Sequence, residues 1–493
     1  MNKKNAVLPV AVVFSLAAGA GGMYAAMDLT DTEDSQEESV NEEALLNEEV
    51  SEEEEDGADL ASELEKIEET FNIVSSQYID DVDETELVDG AISGMLETLD
   101  DPYSVYMDEE TAGEFMESLD SSFEGIGAEV NMTDGQVTIV APIPDTPAEE
   151  AGLRPNDQLI EIDGENIEDL SLNEAVMEIR GEKGTTVTLT IDRPGSSDLM
   201  EIDVERDEIP VETVSSEVVE KDGQTIGELE IRSFSENTAE QFEEELMALE
   251  DEGIDGLILD VRGNPGGYLQ SVEQIGDLIV PGGEPIVQME DPNGEVVREI
   301  SNLEEDKDYP IVTLINEGSA SASEILAAAL KEAADQDVVG ETTFGKGTVQ
   351  QTLPFEDGSE LKLSMFRWLT SAGNDIDENG VEPTHEVSQP DYFYLSPLEN
   401  DEPLEYDMSN DDVETAQVML GAMGYDPGRE DGYFDEPTEE AVRSLQEEEG
   451  LETSGQIDED TADRMQELLI DLIQDPDEDL QREKAIELLT DGE

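Results

Sequence analysis

Cysteine is absent from the 493 residues, and histidine occurs once, at position 385. Without Cys there is no thiol nucleophile, and no zinc site can be assembled from Cys or paired His. A Ser-His-Asp triad could draw only on His385, so a serine hydrolase built on this chain is left with Lys as its base. Such a lysine must be buried, because its ordinary pKa of ~10.4 keeps it protonated at neutral pH. Basic residues are scarce as well: 22 Lys and Arg face 132 Asp and Glu, a net charge of −110 at pH 7. Nucleic acid and anionic membrane surfaces are poor partners for such a field. The acid is spread over all regions, which a single acidic tail does not explain. Repulsion of this size is tolerable where salt screens it, the Debye length being about 3 Å at 1 M. The composition therefore predicts a halophilic or haloalkaliphilic protein facing its medium.

Asn2-Lys3-Lys4 precedes an apolar run from Ala6 to Met27, and about 20 such residues span a bilayer. The lysines favour a cytoplasmic N-terminus, so 1–27 is expected to anchor an exported protein, with Ala25-Ala26 as the alternative signal-cleavage site. Residues 28–59 are acidic and poor in aromatics, the composition of a disordered spacer. In the region 60–119, Leu64, Ile67, Phe71, Val74 and Tyr78 recur at helical spacing. Their stripe is expected to pack within a helix pair, with homodimerisation as the sharper use.

From 120 to 208 short strands alternate with a Pro-started helix, Thr146-Pro147-Ala148, and a second helix at Leu172 to Ile179. This order resembles a PDZ domain. Gly125-Ile126-Gly127-Ala128 stands where that family binds a carboxylate, and Ala151-Gly152-Leu153-Arg154-Pro155-Asn156-Asp157 matches its central pattern, with Asp145 and Asn156 where Gly is usual. The resemblance implies capture of a peptide C-terminus by strand addition, with Arg180 beside the tail as a candidate regulatory residue. Residues 391–410 read as a linker. Residues 411–474 resemble a peptidoglycan-binding module of three helices, its Tyr and Phe assigned to the core, and 475–493 form an acidic helical tail.

Between them, 209–390 reads as an α/β core of strand–loop–helix units. Gly256 to Val261 is a buried strand followed by Arg262-Gly263-Asn264-Pro265-Gly266-Gly267, a turn needing special dihedrals. Ile311 to Ile315 is a second strand, and a helix over 321–334 follows Asn316-Glu317-Gly318-Ser319-Ala320. Such units place ligands beyond the strand C-termini. Ser319, Ser321 and Ser323 all compete as nucleophile there, and an exposed hydroxyl at the helix start, beside free N–H groups, is favoured. Ser321 would also serve as an N-cap with Glu324 as its capping-box partner.

Gly318-Ser319-Ala320-Ser321-Ala322-Ser323-Glu324-Ile325 together with Gly345-Lys346-Gly347-Thr348-Val349-Gln350 resembles the C-terminal processing (tail-specific) peptidases, over roughly 60–387. Carried over by motif position, the nucleophile is Ser321, the general base Lys346 and the orienting amide Gln350. The backbone N–H of Ala322, with that of Gly266 or Gly267, would hold the oxyanion. Contact between Lys346 and Gln350 requires a bend, for which Gly347 is the expected place. Ser319, Ser323 and His385 are expected to be structural, and the chemistry calls for no metal or cofactor. Thr384 replaces the Asp usual in the family's closing segment. The whole is a multidomain α/β protein: an exported serine endopeptidase acting on protein C-termini near the cell wall, against the alternative of a non-catalytic PDZ and cell-wall adaptor.

The charge makes a direct prediction. Chemical unfolding should show stability rising from low to molar NaCl; equal stability at both would remove the halophilic reading.

Overall fold

The computed structural model describes residues 57–119, 121–133, 135–144, 146–167, 170–194, 199–398 and 402–490. The apolar run 6–27, the acidic spacer up to residue 56 and Asp145 lie outside the described residues. Among those described, no helix is long and apolar enough to cross a membrane.

Leu257, Ile258 and Leu259, and with them Ile311, Val312, Leu314 and Ile315, are all buried. Continuous rather than alternating burial marks strands covered on both faces, the condition of a parallel sheet. They form the centre of a 6-stranded sheet in the order Val214–Lys221, Gln224–Ile231, Gly256–Asp260, Ile311–Ile315, Asp337–Gly340, His385–Glu386. The first pair is antiparallel and the others parallel. Asp260 lies opposite Leu314, and Ile315 opposite Gly340. The three central strands thus end side by side, and the loops leaving them converge on one edge.

The helices Thr238–Glu252, Leu269–Ile279 and Ala322–Glu332 cover one face through Phe242, Leu246, Val272, Ile275, Leu326 and Leu330. The other face is closed by the helix Leu480–Thr490, whose Ala485, Ile486 and Leu489 pack on Ile226, Ile258, Val312, Leu314 and Val339. The segment read as an acidic tail is therefore a layer of the core. Gly256 makes room for it, since a Cβ there would lie 3.0 Å from a Leu489 methyl. Arg262 reaches Asp479 at 2.8 Å and Arg482 reaches Glu228 at 2.8 Å, fastening the helix at its start.

The helices Asp411–Ala422, Glu436–Glu449 and Glu459–Ile473, capped by Asn410, Asp435 and Asp458, form the small module. Phe434 is buried in its core, and the expected linker contributes Leu398 and Leu404 to the same core.

A 5-stranded antiparallel sheet joins Val105–Met107, Glu360–Leu369, Pro285–Glu290 and Val296–Ile300 in that order, with Thr348–Pro354 also paired to Glu360–Leu369. The PDZ sheet is separate, and Ser122–Gly125 pairs with Asp207–Pro210 where the chain enters and leaves it. Asn156 adopts φ 68°, as its place in the glycine position of the motif predicts.

The N-terminal helices correct one expectation. Leu64 and Ile67 on Gly57–Gln77 and Tyr78 just after it are exposed, Tyr78 by 62 %, and the helix Glu84–Glu97 buries no residue. Phe71 and Val74 are half-buried, and the rest of the stripe is left without a cover among the described residues.

Leu489→Ala should lower the stability of the peptidase unit by about 2–4 kcal/mol. Urea unfolding followed by Trp368 fluorescence measures it, and an unchanged midpoint would show the helix to be dispensable.

Candidate active site

Ser321 stands between the strand Ile311–Ile315 and the helix Ala322–Glu332 with φ 56° and ψ −107°. A positive φ costs a residue with a side chain of order 1–3 kcal/mol and persists only where its surroundings enforce it. Two asparagines enforce it. Asn316 accepts the N–H groups of Gly263 at 2.8 Å and Gly318 at 3.1 Å. Asn264 donates to Ile231 O at 2.7 Å, and its own backbone oxygen accepts the Ala320 N–H at 3.0 Å. The competing serines are spent within this scaffold: Ser319 Oγ donates to Val261 O at 2.8 Å, and Ser323 Oγ to Asn264 O at 2.9 Å.

Lys346 lies in the loop leaving Asp337–Gly340, the strand beside the one that leads to Ser321. A single carboxylate ties the two loops together. Glu324, fully buried, accepts the Ser321 N–H at 2.7 Å and the Lys346 N–H at 2.9 Å on Oε2. On Oε1 it accepts the Thr343 hydroxyl at 2.6 Å and the Gly345 N–H at 2.7 Å. Burial pushes this carboxyl up, and the four donors oppose that by occupying its lone-pair sites. Trp368, the only tryptophan, is fully buried and donates Nε1–H to Lys346 O at 2.6 Å.

The Lys346 side chain is 1 % exposed, and its Nζ makes no hydrogen bond among the described residues. Desolvation, with the like charge of Lys362, brings its pKa down to about 7 against the opposing pull of Glu324 and Asp101. Its Nζ lies 4.6 Å from the centre of the Tyr103 ring. Gln350 is fully buried on the strand Thr348–Pro354, its Nε2 donating to Thr348 Oγ1 at 2.9 Å and Ser364 Oγ at 3.0 Å. Its Oε1 accepts no hydrogen bond among the described residues.

Three expectations change here. The Ser321 hydroxyl was expected to be exposed, yet the residue is 1 % exposed, because Gly266 lies against it: a Cβ on Gly266 would stand 3.0 Å from Ser321 Cβ. Lys346 Nζ is not hydrogen-bonded to Ser321 Oγ. The local irregularity falls between Val349 and Gln350, where the pairing with Glu360–Leu369 shifts register, while Gly347 is small because Asp377 Cβ would stand 2.6 Å from a side chain there.

Gly266 (φ 102°) and Gly267 (φ 151°) occupy backbone space that favours glycine. The Gly266 N–H donates to Asn264 Oδ1 at 2.8 Å. The N–H groups of Gly267 and Ala322 donate to none of the described residues.

In the PDZ domain, Gly127 (φ 75°) sits so close to Thr146 that a Cβ would meet it at 2.4 Å, and the Thr146 hydroxyl donates to Gly127 O at 2.9 Å. The oxygens of Ile126 and Gly127 accept from Ala148 and Ile143, whereas their N–H groups donate to none of the described residues. Gly125 enters this loop from a strand, Ala128 leaves it into the next, and Arg180 lies 4.9 Å over the Phe123 ring beside it. His385 is remote in role: its Nε2 pairs with Asp337 at 3.0 Å on the sheet's edge strand. The Thr384 hydroxyl accepts the Val338 N–H at 2.8 Å and donates to Val338 O at 2.9 Å, fastening the closing segment to the neighbouring strand.

Sequence reading did not single out Asp101, Tyr103, Ser104 or Lys362, and saw Glu324 only as a cap. Asp101-Pro102-Tyr103-Ser104, a turn-forming run between a helix and a strand, was the available signal.

A strained serine opening a helix, joined through one carboxylate to a buried lysine, belongs to a serine-type peptidase, here carrying a PDZ domain. Residues 225–387 match Peptidase family S41, 138–193 a PDZ domain, 409–465 a putative peptidoglycan binding domain and 16–111 the activating protease CtpB N-terminal domain. The chain is 46 % identical over 489 residues to the carboxy-terminal processing protease CtpB of Bacillus subtilis, covering 99 % of each. It is 41 % identical to CtpA of the same organism, over 87 % of this chain and 90 % of that one. A solved photosystem II D1 C-terminal processing protease is 26 % identical, covers 65 % of this chain and 92 % of that one, and superposes with a TM-score of 0.40. The chain belongs to the carboxy-terminal processing proteases of peptidase family S41.

Glu324→Gln keeps the shape but turns an amide NH₂ toward two donors, leaving buried N–H groups unpaired at about 1–3 kcal/mol each. The variant should lose about 2–5 kcal/mol of stability and more than tenfold of its peptidase activity. Wild-type behaviour in both assays would show that the two loops hold without the carboxylate.

Proposed function

We propose that this protein cleaves polypeptides near their C-termini with Ser321 as nucleophile and Lys346 as general base. The observation that carries the reading is a fully buried lysine whose pKa is brought down to about 7, without a hydrogen-bond partner among the described residues, in a loop fastened to the nucleophile's own helix. Neutral Lys346 takes the proton of Ser321 Oγ as that oxygen attacks the scissile carbonyl. The developing oxyanion is received by the N–H groups of Gly267 and Ala322, worth ~3 kcal/mol each. Lys346 returns the proton to the leaving amine, and water then resolves the acyl-enzyme by the reverse proton path. Neither Lys346 Nζ nor Gln350 Oε1 has a hydrogen-bond partner among the described residues, so an orienting bond from the lysine to this amide belongs to the working state and is not made in the resting one.

The burial of Ser321 and the unmade Ser321–Lys346 bond make this a resting arrangement. Substrate held by the PDZ domain relieves it: the tail carboxylate meets the N–H groups of Ile126 and Gly127, and Arg180 lies within the same loop environment. The family and the peptidoglycan-binding match support an extracytoplasmic site of action, with the run 6–27 as membrane anchor. The uncovered stripe of Leu64, Ile67 and Tyr78 supports a homodimer.

Ser321→Ala should abolish cleavage of a protein with an exposed apolar tail at high salt while leaving the fold intact. Wild-type kcat/KM should rise as Lys346 loses its proton, with a midpoint near pH 7; a profile flat from pH 6 to 10 overturns the base assignment. The same lysine sets a stability window. Between about 10 and about 7 the unfolded chain holds a proton that the native state lacks, so native stability falls as pH drops through that range. Lys346→Met should accordingly be the more stable protein at pH 7, and a variant of lower stability there would contradict the depressed pKa.

A further inference from the structure

The N-terminal segment covers the lysine base. Asp101 Oδ1 accepts the Tyr103 N–H at 3.0 Å, and its Oδ2 accepts the Ser104 hydroxyl at 2.5 Å. Ser104 Oγ in turn accepts the Ser364 N–H at 3.0 Å, and Ser364 Oγ is the group that Gln350 donates to. The strand that follows, Val105–Met107, pairs with Leu361 and its neighbours on Glu360–Leu369. The turn is thereby fastened to the sheet that carries Gln350, and it delivers one ring: Tyr103, centred 4.6 Å from Lys346 Nζ. Farther along the same segment, the Phe115 ring lies 4.4 Å from Nζ of the second buried lysine, Lys362.

We propose that Tyr103 is a positioning residue for the reaction, the lid that keeps water off the Lys346 ammonium, and that the N-terminal segment is in this way part of the catalytic apparatus. The proposal rests on the assignment of Lys346 as the base. A ring at this distance has two opposed effects. Its face attracts the ammonium, whereas its bulk excludes the water that would solvate the charge far better. Exclusion dominates, because desolvation is the largest influence on this lysine. The charged groups around it are Glu324 from the nucleophile's helix, Asp101 from the segment itself and Lys362 from the paired strand; Asp377, Glu324 and Asp101 act on the Tyr103 hydroxyl. Neither Glu324 nor Asp101 replaces Tyr103, since both favour the ammonium.

The titration of Lys346 can be read without turnover, from the Cε shift of carbon-13 lysine in Ser321→Ala protein, assigned by its loss in Lys346→Met. Tyr103→Phe should titrate as wild type. Tyr103→Leu, an apolar cover without a ring face, should titrate at or below it. Tyr103→Ala and Tyr103→Gln, which admit water, should titrate about one unit higher. With Ser321 present, kcat/KM of these two should drop about fivefold at pH 7, as the neutral fraction goes from a half to a tenth, and recover at pH 9. An unmoved Lys346 titration in both would overturn the proposal. A moved titration with an unmoved rate profile would uphold the shielding and remove Lys346 from the role of base, so the two failures are distinct.

Discussion

Everything chemical in this molecule depends on the Glu324 carboxylate and its four donors. Ser321 and Lys346 come from loops on neighbouring strands, and neither loop is regular. A buried carboxylate cannot stay ionised without partners, and irregular backbone cannot stay buried with its N–H groups unpaired. Each solves the other's problem. The helix presents the acceptor from its first turn, where the dipole also favours negative charge, and the lysine loop supplies three of the four donors. The same charge draws on the Lys346 ammonium, so geometry and proton affinity are in tension. Burial of Nζ outweighs that pull and brings the lysine's pKa down to about 7.

Two sheets divide the labour. The parallel sheet ends three strands side by side, which puts the glycine turn 262–267, the serine turn and the lysine loop on one edge. The antiparallel sheet brings Gln350, Lys362 and, through the strand Val105–Met107, the segment with Tyr103. The site is therefore built from segments that share no local sequence. Burial follows from this convergence: glycine backbone lies against Ser321, and a ring lies near each of Lys346 and Lys362.

How far the sequence reveals this depends on range. The strands Gly256–Asp260 and Ile311–Ile315 were legible because both faces are buried and the runs are unbroken. Scarcity of His and Cys pointed only to a lysine as base; the choice of Ser321 among three serines, and of Lys346, came from the resemblance to the C-terminal processing peptidases. The roles of Glu324 and Tyr103 were not legible, since a capping glutamate and a loop tyrosine look alike whether or not a distant loop folds onto them. The choice between Gly266 and Gly267 required hydrogen bonds, because Asn264 consumes one N–H of two adjacent glycines. The helix Leu480–Thr490 was read as a tail because it is short and follows the acidic stretch Asp475 to Asp479, and its apolar residues Ala485, Ile486, Leu488 and Leu489 stand too close together to show a helical period. The stripe on Gly57–Gln77 was given a partner helix that the second helix does not supply.

That last helix has a consequence for how the protein is made. The strands it covers, with Ile226, Ile258, Val312, Leu314 and Val339, are all synthesised before it, and the whole wall-binding-like module intervenes. Until translation has passed residue 490, one face of the peptidase sheet has nothing of its own to bury against. A product cut short upstream of this helix would leave Ile226, Ile258, Val312, Leu314 and Val339 without the cover that Ala485, Ile486 and Leu489 give them, an apolar face open to other chains.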